Sequence, residues 1–272
     1  MIRSENLGKF IHQPKSTLYN LEEINIKSAT TFPGLCNHHD TALFEAIENE
    51  EPNLDNENHR FLFAYRTIIR EQYARRRLWW VNKTAIEKGL ERKLFTSEQV
   101  RDNCTNHITA CYAGFHFYEP LANRFHRLRK FPNFIKRWEW DSILLRKDDT
   151  SPLVTCESFF EIKKESISDL KYLIMCVLPL NGRLYVLLFF KKRYKILVEA
   201  FLSNTLGDDY KNNLSLTKLS SLILCRSENF CINWTHYQSF SDKKTKTIER
   251  LFCENNNLFN WSINEEVNLW TT

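Results

Sequence analysis

Residues 171–190 read KYLIMCVLPLNGRLYVLLFF, two apolar runs hinged on Asn181-Gly182. Asn-Gly tolerates positive φ at both positions, as a two-residue hairpin turn demands, so the stretch predicts two antiparallel strands. Both runs are apolar at nearly every position rather than at alternate ones. A half-solvated sheet would alternate, so both faces of this one are expected to be covered. Upstream, WEWDSILLR (residues 138–146) and SPLVTCESFFEI (residues 151–162) also read as strands. Helices expected around Arg193–Asn204, Leu216–Ser227 and Ser241–Cys253 can supply the cover.

The chain before the sheet has a helical period. Phe61, Ala64, Tyr65, Ile68, Ile69 and Gln72 form one stripe of a helix expected over residues 57–88. A second helix is expected over residues 97–129, bent near Gly114 and Pro120, and two long adjacent helices form an antiparallel hairpin. Residues 1–50 are irregular, with turn chemistry at Phe32-Pro33-Gly34 and a short helix from Asp40 to Glu48 whose inner face is Leu43, Phe44 and Ile47. The Asp40 carboxylate is placed to cap that helix by accepting from the free amides of its first turn. The expected fold class is therefore α+β. A small irregular N-terminal knuckle (1–55) leads to a basic helical section (56–137), then to an antiparallel sheet with covering helices (138–272).

Composition narrows the function classes. Only 6 of 272 residues are glycine, and neither GxGxxG nor GxxxxGK[ST] occurs, which argues against phosphate-cradling loops. The longest apolar candidate, residues 172–190, is interrupted by Pro179, Asn181, Gly182 and Arg183, so no membrane span of about 20 apolar residues is expected. No apolar signal region follows the charged start, and the expected location is the cytoplasm. The eight cysteines include no CxxC pair, and most sit in apolar surroundings as small buried hydrophobes rather than in a disulfide framework. No Ser/His/Asp order or Cys/His pair suggests nucleophilic catalysis.

Charge is segregated along the chain. Residues 1–59 hold 4 Lys/Arg against 10 Asp/Glu, residues 60–146 hold 18 against 8, and residues 147–272 hold 16 against 15. The middle section thus carries the positive excess and points to an anionic partner, DNA or RNA. Its cations are interleaved with aromatics: Arg66, Arg70, Arg75, Arg76 and Arg77 precede Trp79 and Trp80, and RFHRLRK follows at residues 124–130. Cations neutralise phosphates and flat rings stack on unpaired bases. Arg70, Arg77, Arg127 and Arg129 are the candidate nucleic-acid contacts. A solvated face whose aromatics belong to the core is the competing reading.

Cys36-x-x-His39 has the spacing of half a zinc site, and the turn before it would aim both side chains at one metal, zinc or another divalent ion. A plain turn with a helix cap explains the same residues. Cys104-x-x-His107-x-x-x-Cys111 lies on one helical face and offers further donors, or equally a face packed in the core. Phe160-Glu161-Ile162-Lys163 carries the Glu-x-Lys of PD-(D/E)xK nucleases, with Asp141 as the candidate second carboxylate, or else solvated strand charges.

Two resemblances follow from these residues. His12-Gln13-Pro14, twenty-four residues before Cys36, together with TTFPGLCNHHDTALFEAIE (residues 30–48), resembles the end of an HNH-type, treble-clef ββα-metal motif. That resemblance implies His12 as general base and Asp40 as ligand of the divalent metal that stabilises the leaving oxygen, with Cys36 and His39 as zinc ligands. The upstream CxxC that completes such a knuckle is absent, so the centre would be degenerate. More broadly, FPGLCNHHDTALFEAIE, FLFAYRTIIREQYARR and SENFCINWTHYQS are similar to an uncharacterised family of bacterial proteins with GFCxxHDxxLFxxIE and FLxAYRxxxRExY segments. This resemblance spans most of the chain, and it implies a knuckle origin without supplying an activity. The expected function is action on nucleic acid, as a metal-dependent nuclease or a remnant of one. The alternative expectation is a non-catalytic binding or regulatory module, with bacterial antiviral defence as a candidate role.

Overall fold

The computed structural model describes residues 35–48, 51–94, 96–98, 116–127, 139–148, 153–163, 171–227, 230–255 and 267–272. His12, Cys104, His107, Cys111 and Arg129 lie outside them.

Five antiparallel strands form one sheet in the order β1-β4-β3-β2-β5. They are β1 (Trp140–Lys147), β2 (Val154–Lys163), β3 (Lys171–Leu180), β4 (Arg183–Lys191) and β5 (Phe230–Ile232). The hairpin turns where expected. Leu180 pairs with Arg183, and Asn181 and Gly182 take φ of 51° and 69°. Two positive φ values in succession match the right-handed twist of the strands they join.

Alternation along β3 and β4 divides the core into two layers. Leu173, Met175, Val177, Leu184, Val186, Leu188 and Phe190 face one way, and Tyr172, Ile174, Cys176, Leu178, Leu187 and Phe189 the other. The first layer is covered as expected, by α4 (Lys195–Leu206), α5 (Leu216–Arg226) and α7 (Asp242–Asn255), with the short α6 (Trp234–Gln238) at the margin and residues 267–270 packed in. Ser215 caps α5 by accepting from the Lys218 amide, and Asn233 caps α6 through the His236 amide. These side-chain oxygens satisfy amides that no earlier carbonyl can reach.

The opposite layer is covered not by the C-terminal helices expected to supply the cover but by the N-terminal helices. These are α1 (Asn37–Glu48), α2 (Glu57–Glu91) and α3 (residues 116–127). Asn56 caps α2 by accepting from the Asn58 amide. Of the expected inner faces, Leu43, Phe44 and Ile47 of α1 and Phe61, Ala64, Tyr65, Ile68 and Ile69 of α2 are buried, while Gln72 at the end of the stripe is half-buried. Phe125 of α3 sits at the centre, its ring 5.2 Å from Phe61 and 4.8 Å from Trp140. Residues of all three sequence sections therefore meet in one aromatic core around the sheet. Among the described residues no helix is long and apolar enough to cross a membrane.

Candidate functional site

The knuckle residues begin a helix. α1 starts at Asn37, three residues before the expected start, and the Asp40 amide already donates to the Cys36 carbonyl at 2.9 Å. Asp40 is thus inside the first turn and is not the cap. Its carboxylate there still favours the positive end of the helix dipole. Cys36 and His39 come together across this turn, Sγ to Nδ1 2.9 Å, both on the surface. At that distance the two side chains are joined by a direct hydrogen bond. Among the described residues, however, no group of three or more His, Cys, Asp or Glu side chains is placed to hold a metal.

The Glu-x-Lys pattern is resolved by topology. Asp141 stands opposite Phe190, Phe190 opposite Leu173, and Leu173 opposite Phe160. Three strand spacings, about 14 Å, therefore separate Asp141 from the Glu161 region. The two also lie on opposite faces, because paired residues share a face. Phe190, the partner of Asp141, belongs to one core layer, and Tyr172, the partner of Glu161, to the other. Asp141 is instead ion-paired with Lys195 at 3.2 Å. These carboxylates cannot share a magnesium ion.

The basic helix separates into two halves with different roles. In the first half, the arginines are structural. Arg66 pairs with Glu48 of α1 at 3.2 Å. Arg70, expected at an exposed basic face, is instead turned onto the sheet with its side chain 13% exposed. It donates to Glu71 at 3.0 Å, to the Glu157 carboxylate at 3.4 Å, and to the Glu157 backbone carbonyl. Burial opposes its charge, but Glu157 and Glu71 outweigh that cost and raise its pKa. Arg70 is therefore committed inside the fold and unavailable to a phosphate.

Beyond Glu71 the helix leaves the core. Thirty-five residues make α2 about 52 Å long, while a ten-residue strand spans about 34 Å. After Glu71 only Gly89 is fully buried. Residues 72–94 hold seven Lys/Arg against Glu87 and Glu91. Arg76, Arg77, Lys83 and Lys88 are exposed, as are Arg92 and Lys93 just past the helix end. At about 100° per residue, Arg76, Trp80, Lys83 and Glu87 fall on one line, with Arg77 and Lys88 on a second line roughly a quarter to a third of a turn round. Trp80 is 61% exposed in the middle of this line. Trp79 differs: it is half-buried, with the Lys83 ammonium 5.3 Å above its ring. Lys83 also lies 3.8 Å from Glu87, a surface pair of little strength.

Of residues 124–130 only 124–127 are described, and these lie near the first half of α2 rather than beside Arg77. Arg127 is exposed, but its Nε donates to Asn123 of its own helix at 3.4 Å. Arg124 is ion-paired with Glu139. α3 packs near Tyr65, whose hydroxyl is 3.1 Å from His126 Nδ1. Arg77 is twelve residues further along α2, about 18 Å of helix rise. Lys83 and Lys88 are the interface candidates the sequence reading passed over. The available signal was helical spacing, Lys83 seven residues after Arg76 and Lys88 eleven after Arg77.

A cavity of about 470 Å³ beside the hairpin is lined by Asp55, Arg146, Arg183 and Tyr185 among others. Its cations are already engaged, Arg146 with Asp55 and Arg183 with Asp148 at 2.8 Å. It is a self-neutralised polar recess.

The fold is thus an α+β protein with an antiparallel sheet between two helical layers, and its distinctive surface is the exposed basic half of α2. No protein-family model, curated protein or solved structure matches this chain.

Proposed function

We propose that this protein binds nucleic acid through the second half of α2, acting as a binding module. One observation carries the reading: Arg76 and Lys83 on one line of the helix, and Arg77 and Lys88 on a second about a third of a turn round, are exposed with no equal number of acids to neutralise them. A mixed solvated helix face alternates charge sign, whereas residues 72–94 are strongly one-sided, which suits a polyanion. Such binding releases counterions, so affinity falls linearly on a log–log scale as salt rises, by about 0.7 to 0.9 per phosphate contact. Fluorescence anisotropy with labelled DNA and RNA across a salt series tests this. The double variant Arg76→Ala/Arg77→Ala should bind more weakly and lose roughly two contacts from the slope. Unchanged affinity and slope, or no binding at low salt, would reject the reading.

A degenerate HNH-like nuclease is the second reading, favoured by the convergence of Cys36 Sγ and His39 Nδ1 at 2.9 Å. A structural zinc needs about four donors, so two more must come from elsewhere, with His12, Cys104 and His107 the sequence candidates. Zinc bound here would fix the knuckle. A zinc content near one per chain in purified protein, lost in Cys36→Ser, supports this reading. Metal-free protein that cleaves neither plasmid nor RNA leaves Cys36–His39 as a helix-start contact.

A further inference from the structure

We infer that the α2 face selects single-stranded over double-stranded nucleic acid, with Trp80 as a stacking platform for an unpaired base; this rests on the nucleic-acid reading above. The side chain is the reason. An indole is among the largest apolar surfaces a protein carries, and the energetic pressure is to bury it. Trp80 is instead 61% exposed, while its neighbour Trp79 is half-buried and covered by the Lys83 ammonium. Lys83, the cation nearest in sequence on the same line, leans over Trp79 rather than Trp80 while its ammonium stays half exposed, so the Trp80 ring is left open.

Placement gives the chemistry. Trp80 lies one turn after Arg76 and one turn before Lys83, about 6 Å and 4.5 Å along the helix axis. An aromatic plane between two phosphate-binding cations matches a strand whose bases turn toward the protein while its backbone tracks the charges. In a duplex the base faces are already stacked on each other. Trp80 would then meet only the groove wall, and its exposure would add nothing to the cations. A protein partner for the same surface would need to be strongly acidic, and it is an outcome of the test rather than the proposal.

The test compares oligo(dT), oligo(rU) and a mixed-sequence duplex, each roughly 20 nucleotides or base pairs long, long enough to span such a face. Wild type should bind the single strands more tightly than the duplex. Trp80→Ala should weaken single-strand binding roughly tenfold while leaving the salt slope and the duplex affinity unchanged. Trp80→Phe, which keeps a ring, should recover most of the loss. Tighter binding of either dT or rU keeps the inference and identifies the preferred strand. Equal affinity for strand and duplex, or single-strand binding untouched by Trp80→Ala, overturns the inference. In that case a slope still sensitive to Arg76→Ala/Arg77→Ala preserves the electrostatic reading. No binding to any probe at low salt, with capture of an acidic protein instead, removes both.

Discussion

Arg70 of α2 grips Glu157 of β2 twice, donating from one guanidinium to both its carboxylate and its backbone carbonyl. A charged side chain thus holds the helix against the sheet in a place where apolar packing would be the ordinary solution. The same guanidinium also serves Glu71, which is buried. Removing it would leave two carboxylates near the core without their cation.

Arg70→Ala is therefore expected to destabilise the fold by about 3–5 kcal/mol, the range for breaking one side of a buried pair. Arg70→Met, which keeps the aliphatic stem but not the charge, should fall in the same range, since the cost lies in the orphaned acids. Urea unfolding followed by circular dichroism measures both. A loss below about 1 kcal/mol in each would mean that the pair is solvated and the anchoring argument fails.

Phe125 is central to the layer that joins α2 and α3 to the sheet, with Phe61, Tyr65, Trp140 and Phe189 around it at 4.8–6.0 Å. Phe125→Ala should cost about 3–5 kcal/mol through lost burial and the cavity left behind. Phe125→Leu should recover a large part of that. The two values come from the same unfolding experiment, and equality of the two variants would show that the site collapses around any residue.

The hairpin and the C-terminal helices were legible because their signals are local. Asn181-Gly182 dictates its own turn, and the apolar runs beside it state that both faces are covered. Which element covers the second face is a long-range fact, and no periodicity names a partner. Arg70 was misplaced for a related reason. The apolar stripe from Phe61 to Ile69 predicts one buried side, yet Phe63, Thr67 and Glu71 are buried as well, so this half of α2 is enclosed on a second side. Phe63, Thr67 and Glu71 recur at intervals of four, but two of the three are polar and read as solvent-facing. Thr67 resolves its polarity locally, donating to the Phe63 carbonyl and lying 3.4 Å from Cys176 Sγ. β5 was missed because three residues are too short for an alternation to appear.

At the hairpin, Gly182 adopts φ of 69° and an added Cβ would meet no atom within 4 Å. The space is open, so any penalty for Gly182→Ala is a backbone penalty alone. Left-handed φ disfavours an L side chain by about 1–2 kcal/mol, and that is the expected loss. Gly182→Asn should lose less, because a short polar side chain tolerates this region. Stability matching wild type in the alanine variant would show that the turn relaxes to another type.

The cysteines give a prediction that depends on pH, and it separates surface from core by chemistry. Cys36 is exposed, whereas Cys156 and Cys176 lie buried on opposite faces of the sheet. Burial pushes the Cys156 thiol up to about 12, outweighing its hydrogen bond to Ser227 and the nearby Arg70. Burial also pushes Cys225 up to about 11 and raises Cys176 further still. The thiolate is the reactive form, so iodoacetamide at about pH 8 should label Cys36 quickly and leave Cys156 and Cys176 unmodified until the protein unfolds. Peptide mass spectrometry reads each site separately. The linked stability follows in sign. With the folded pKa of Cys156 above its ordinary 9.0, this group contributes full stability below that value and loses it as pH climbs toward about 12, because only the unfolded chain can then release the proton. Cys156→Ala should flatten the decline in stability over that window, measured by urea midpoints across the alkaline range. Labelling of Cys156 in native protein as fast as Cys36 would contradict the burial on which both expectations depend.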